Sequence, residues 1–126
     1  MDTKFGLIRR IEVTTASVHD SQIDLAGNGE VRYAYRGFFG SKTKGYDAAM
    51  IKATRGHPLS YKDKIRNKRI SRIRSPIERY YAFLKRVCKA GRVAVTTVPR
   101  VRVKMIISAM VFNLYHLNSA RRRISA

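Results

Sequence analysis

Cysteine, acid and long apolar runs are scarce in this sequence, and each scarcity removes a class of protein. A single thiol, Cys88, excludes an internal disulfide framework and offers no paired-cysteine zinc spacing. The longest apolar stretch, Ile106 to Leu117, is broken by Ser108, Asn113 and His116 and is too short to span a bilayer. The N-terminus lacks the unbroken apolar segment of a signal peptide, so the expected location is the cytoplasm. Only 8 Asp and Glu stand against 27 Lys and Arg, a formal net charge of +19 over 126 residues. Such an excess repels itself unless screened, and an extended polyanion screens it best, which makes nucleic acid the expected partner. The cations are interleaved with Ile, Val, Tyr and Thr instead of gathered in a polybasic tail, a pattern that argues against a membrane surface.

With 44% hydrophobic residues the chain is too apolar for a disordered basic arm, and its length allows one domain, residues 1–126, with a modest core. Phe5 to Thr15 reads as extended, with Leu7, Ile8, Ile11 and Val13 favouring a strand. His19-Asp20-Ser21 offers capping oxygens for a short helix that Gly27-Asn28-Gly29 ends. Val31 to Tyr35 is a second strand, closed by Gly37 and Gly40, and Ala48 to Thr54 is read as a third. Alternating strands and helices define an α/β class. Ile73, Ile77, Tyr80, Tyr81, Leu84, Val87 and Cys88 recur at helical spacing and stop before Gly91, placing Cys88 as a buried structural thiol at the end of an apolar face. The run from Val93 to Val98 is extended or a loop. A last helix begins near Pro99, with Val103, Ile106, Ile107, Met110, Val111, Leu114 and Leu117 as its expected buried face and Arg121-Arg122-Arg123 as a solvated tail.

Between Tyr61 and Arg92 there are twelve Lys or Arg and only two acids, Asp63 and Glu78. Glu78 has two readings that are compatible with each other. In one, Ser75 is a helix N-cap, Pro76 takes the first helical position and Glu78 closes a capping box. In the other, Arg74, Glu78, Tyr81 and Lys85 share a helical stripe, since offsets of four, seven and eleven residues return to within about 40°. Such a stripe sets a carboxylate suited to a divalent metal beside cations suited to phosphate.

Arg74, Glu78 after three residues and Lys85 after six more resemble the Arg-x3-Glu-x6-Lys signature of insertion-sequence transposases of the DDE class, in the group similar to IS4 and IS5 elements. The context from Asn67 to Arg79, the segments Gly6-Leu7-Ile8 and Val13 to Ser21, and the stretch from Arg92 to Leu117 with Asn113-Leu114 resemble the C-terminal part of the same enzymes. The resemblance implies a ribonuclease-H-like catalytic domain, here incomplete and ending in a C-terminal helix. In it three carboxylates would hold two Mg²⁺ or Mn²⁺ ions for DNA strand cleavage and transfer. Glu78 matches the third carboxylate and is the expected catalytic and metal residue, while Arg74, Arg79, Lys85 and Arg86 are the expected DNA contacts.

Two departures bear on activity. Tyr35 stands where the family's second carboxylate is expected, and a neutral phenol is no hard anionic ligand near neutral pH. The first carboxylate would lie on a strand ahead of Gly6-Leu7-Ile8, where Asp2 is a poor substitute. Asp20 reads as a helix-start acid and His19 as its neighbour in the turn; Asp47 and Asp63 read as ordinary turn or surface acids. The expectation is a truncated, degenerate transposase derivative that binds DNA in a salt-sensitive way, holds no cofactor tightly and is inactive alone. Its partners would be DNA and either a second copy or a complementary transposase fragment. Two alternatives stay open: a transposase subunit completed by a partner chain, and a small RNA- or protein-interaction module. In the second, Tyr33, Tyr35, Phe38 and Phe39 beside Arg32 and Arg36 stack bases instead of packing a core.

Overall fold

The computed structural model describes residues 1–92, 94 and 97–124, with side chains as far as residue 122. The chain forms two compact units, one of residues 16–76 and one of residues 1–15 together with 77–126.

The unit of residues 16–76 is a small α/β fold. Its opening turn, Asp20–Gln22, is a single turn of 3₁₀ helix capped by His19, whose Nδ1 accepts the Ser21 N–H at 3.2 Å. Asp20 is the first residue of that turn, so the capping role falls to its neighbour. Strand β1 (Val31–Ala34) pairs in parallel with β2 (Tyr46–Ala49), in the register Val31 to Tyr46 through Ala34 to Ala49. Gly45 makes the ladder's start possible: a Cβ there would collide with the Glu30 carbonyl oxygen, the same oxygen that accepts the Tyr46 N–H at 2.8 Å. The Asp24 carboxylate ties the two segments together by accepting the Lys44 and Ala26 amides and the Thr43 hydroxyl.

The strand expected over Ala48 to Thr54 is therefore present but begins earlier and stops at Ala49. One further ladder bond follows, Met50 N–H to Ala34 O at 3.0 Å. Beyond it β1 has already turned into a 3₁₀ helix at Arg36–Phe38, and the Ile51 backbone is taken over by Asn67. Asn67 lies on α1 (Tyr61–Arg74), which packs on β1 and buries Asn67 and Ile70. Ser60 caps α1 and forms a reciprocal capping box with Asp63, so the box of this region sits at Ser60 and not at Ser75. Ser75 has helical backbone angles and donates its N–H to Ser71 O, a geometry that no N-cap adopts. The helix expected from Ile73 onward is thus divided, and Arg74 and Glu78 fall in different units.

The other unit is helical. α2 (Pro76–Arg86) and α3 (Val98–Ile124) bury a core of Ile8, Tyr80, Leu84, Ala109 and Phe112. The Phe112 ring stands edge-on to Tyr80 at 5.2 Å and to Phe83 at 5.4 Å between centroids, geometry that satisfies the aromatic quadrupoles. Cys88, expected as a buried thiol at the end of the apolar face, is only half-buried against this core. Val87 and Cys88 themselves lie beyond the end of α2, and Val87 and Tyr81 are exposed. Phe5 to Thr15 is not a strand, because no neighbouring chain among the described residues offers it a ladder; the side chain of Asn113 answers the Ile8 backbone instead. Glu12 of this segment is ion-paired with Arg102.

The buried side of α3 also differs from expectation. Ser108, Ala109 and Phe112 are buried, with Met105, Asn113 and His116 half-buried, whereas Val103, Ile106, Ile107, Met110, Val111, Leu114 and Leu117 are all exposed. The core of this unit is small, and aromatic packing around Phe112 claims the helix side that carries it. Arg121 and Arg122 continue α3 as exposed helical residues, and residues 93, 95 and 96 of the run from Val93 to Val98 lie outside the described residues. No helix among the described residues is long and apolar enough to cross a membrane.

Candidate nucleic-acid interface

α1 is the most cationic element of the residue 16–76 unit. Its buried side carries Arg66, Asn67 and Ile70, and this leaves Lys62, Lys64, Lys68, Arg69 and Arg72 exposed. None of these five is ion-paired with a carboxylate among the described residues, because Asp63, the one acid of α1, is spent on the Ser60 cap. Arg66 is anchored differently, donating to Ala49 O at 2.8 Å. An open groove of about 430 Å³ runs beside the helix, floored by Tyr33, Ala48 and Ile70 and edged by Lys62 and Arg69. The cations of α1 were legible as composition, but their grouping on one helix needed the Ser60-x-x-Asp63 capping box, which is the local signal that marks where α1 starts.

Tyr35 and Arg74 are brought together. Tyr35 follows β1, is 52% exposed, and carries the Arg74 guanidinium 5.4 Å from its ring centroid. A cation over an aromatic face is an electrostatic contact that the ring quadrupole favours. Phe39 is exposed to the same degree, so core packing does not account for Tyr35 or Phe39. Arg32, by contrast, is unsuited to a phosphate: it bonds Asp47 at 3.0 Å and the Ser41 carbonyl at 3.1 Å, and lies over the Phe38 ring.

On α2 the remaining residues are displayed to solvent. Glu78, Arg79, Lys85 and Arg86 are all exposed, with Glu78 in the first turn and the two C-terminal cations in the last. Each sign matches the helix macrodipole at its end. Glu78 and Lys85, seven residues apart on one helix, share a side with exposed Tyr81.

The fate of the eight acids narrows the possibilities. Asp2 accepts the Lys4 and Phe5 amides, Glu12 pairs with Arg102, and Asp24 holds Lys44, Ala26 and Thr43. Glu30 accepts the Gly27 amide, Asp47 pairs with Arg32, and Asp63 caps α1. The carboxylates of Asp20 and Glu78 are the two left without a hydrogen bond or ion pair among the described residues. Among those residues no three His, Cys, Asp or Glu side chains come close enough to hold a metal ion. The described residues therefore offer no carboxylate set for a pair of divalent ions, and Tyr35 presents its ring to a cation.

A family model for the transposase DDE domain matches residues 27–114. The matched span runs from the turn before β1 into α3 and includes Tyr35, Arg74, Glu78 and Lys85. No curated protein and no solved structure matches the chain. The chain belongs to the transposase DDE domain family, and its small α/β fold, a two-stranded parallel sheet with C-terminal helices, is that of a partial ribonuclease-H-like domain.

Proposed function

We propose that this chain binds duplex DNA through distributed phosphate contacts and does not by itself carry out the strand cleavage and transfer of its family. The observation that carries the reading is the exposed, carboxylate-free row of Lys62, Lys64, Lys68, Arg69 and Arg72 on α1. Arg74, Arg79, Lys85 and Arg86 are the further contacts this reading assigns. Phosphate contacts are individually modest and additive in charge, so they survive the loss of a catalytic site.

In a complete site, three carboxylates and two Mg²⁺ or Mn²⁺ ions would supply the activated oxygen and stabilise charge at phosphorus. Glu78 is the one residue here that the reading gives to that role. A lone carboxylate is a weak ligand and leaves the in-line geometry unset.

The test is a duplex-binding titration at about 50 and 200 mM salt, where each phosphate neutralised contributes a slope of about −0.9 in log K against log salt. The expected result is binding that falls steeply with salt and that weakens when Lys68, Arg69 and Arg72 are replaced by Ser. Undetectable binding at the lower salt sinks the proposal. The exposure of Tyr35 and Phe39 favours a second reading, in which the chain takes unpaired strands by base stacking. Tighter binding to single-stranded RNA than to duplex DNA, lost in Tyr35→Ser, would select it.

A further inference from the structure

α3 carries a second organised surface that DNA binding does not use. Val103, Ile107, Met110, Leu114 and Leu117 are spaced four, three, four and three residues apart, the a/d pattern of a coiled-coil seam. They are 56%, 55%, 60%, 67% and 49% exposed. At 100° per residue this seam lies on the side of the helix roughly opposite Ser108, Ala109 and Phe112, which are the buried residues of α3. α3 is therefore two-sided: one side makes the core of its own unit, and the other repeats every 3.5 residues and faces solvent. A period of 3.5 residues is what keeps an apolar stripe against a partner helix over several turns, and scattered surface hydrophobics do not produce it.

The charge pattern selects the kind of helix. α3 contains no Asp or Glu; its residues 105–120 are uncharged, and cations flank this apolar centre, with Arg100 and Lys104 on one side and Arg121 and Arg122 on the other. A second copy laid parallel would set Arg100 and Lys104 beside themselves. Laid antiparallel, it would set them beside Arg121 and Arg122. Either way cation meets cation, between chains that each carry +19. We infer that the exposed seam of α3 is a docking surface for an amphipathic helix of another polypeptide, with apolar a and d residues flanked by carboxylates.

The inference is independent of DNA binding and is tested on the full chain with synthetic three-heptad helical peptides as probes. The first has Ile and Leu at a and d and Glu on the flanking positions of its two terminal turns, opposite the cations that bound the apolar centre. The second keeps the Glu residues but has Ser at a and d, and the third keeps the apolar seam but has Lys in place of each Glu. In about 150 mM salt, where exposed charge is partly screened, the first should bind at least about tenfold tighter than either of the others. The double variant Ile107→Gln, Leu114→Gln should lose that advantage while its helix content and its affinity for duplex DNA stay unchanged. Equal binding of both Glu peptides would mean attraction to net charge alone and would overturn the inference. So would concentration-dependent dimerisation in sedimentation that the double variant abolishes, since the seam would then belong to a second copy. Capture by anionic phospholipid vesicles lost in the same variant would overturn it in favour of a membrane surface.

Discussion

Asn113 answers both backbone groups of Ile8: its Oδ1 accepts the Ile8 N–H at 2.8 Å, and its Nδ2 donates to the Ile8 carbonyl at 3.0 Å. A carboxamide has one acceptor and one donor end at the spacing of a single residue's backbone pair, so Asn113 replaces one rung of a sheet. Asn67 does the same for Ile51, at 2.9 Å for both bonds, in the other unit. Each Asn stands on a helix, and each secures an extended segment that has no strand beside it at that point.

Replacing Asn113 by Ala should lower the unfolding free energy by about 1–3 kcal/mol, because it strands a part-buried donor and acceptor together. Asn113→Asp should recover part of this, since a carboxylate still accepts the Ile8 N–H but no longer donates to its carbonyl. Urea unfolding followed by circular dichroism measures both, and a cost near zero for Asn113→Ala would show that the clamp contributes no stability.

The helix caps give a second, paired expectation. Ser60→Ala removes a reciprocal capping box and should cost about 1 kcal/mol. Ser75→Ala should cost much less, because Ser75 is helical and its side chain caps nothing. The same unfolding measurement ranks the two variants, and a larger loss at Ser75 would return the cap to the junction before α2.

For chemistry, Tyr35→Asp is the informative substitution. The new carboxylate should pair with Arg74, the cation now over the Tyr35 ring, and should neither create a tight Mn²⁺ site nor start metal-dependent cleavage. Calorimetric Mn²⁺ titration and a plasmid-nicking assay read the two outcomes. Metal-dependent nicking by the unaltered chain that vanishes in Glu78→Gln would show that ligands reach Glu78 from outside the described residues.

Stability should fall at both extremes of pH, for different reasons. Burial raises Asp24, but the Lys44 and Ala26 amides, the Thr43 hydroxyl and Arg32 outweigh it and hold the carboxyl below its ordinary 3.8. A depressed carboxyl adds stability above its unfolded value and loses it as pH falls through the native one, so Asp24→Asn should flatten the acid limb below about pH 4. Tyr80 is pushed up to about 12 by burial, with Tyr81 and Cys88 adding to the effect, against an ordinary 10.0. Between those two values the unfolded chain releases a proton that the folded chain keeps, and stability falls as pH rises. Tyr80→Phe should remove that alkaline decline while preserving the edge-on contact with Phe112.

Helices were legible where apolar residues made the buried side and obscure where polar ones did. α2 buries Tyr80 and Leu84 of the expected face, while Ile73, Tyr81 and Val87 of that face are exposed. The buried side of α1 is Arg66, Asn67 and Ile70, held largely by hydrogen bonds, so its burial left no apolar signature among the cations. Strand β1 was placed almost to the residue, because Val31 to Ala34 is bounded by glycines and a turn. Phe5 to Thr15 had the composition of a strand but not the neighbour, and a strand exists only through its neighbour.

What the amino-acid order determined alone was a charge of +19, which sets the expectation of a polyanionic partner, and the family, through the spacing of Arg74, Glu78 and Lys85. It also determined that Tyr35 brings no carboxylate to its position, a matter of chemistry that no folding can alter. Tertiary structure decided which acids were already engaged, that Arg74 lies over Tyr35, and which side of α3 is buried. Both sides of α3 are apolar enough to form a core, so periodicity could not choose between them. The choice rests on packing: Phe112 meets the rings of Tyr80 and Phe83, and one helix cannot turn both sides to the same small core.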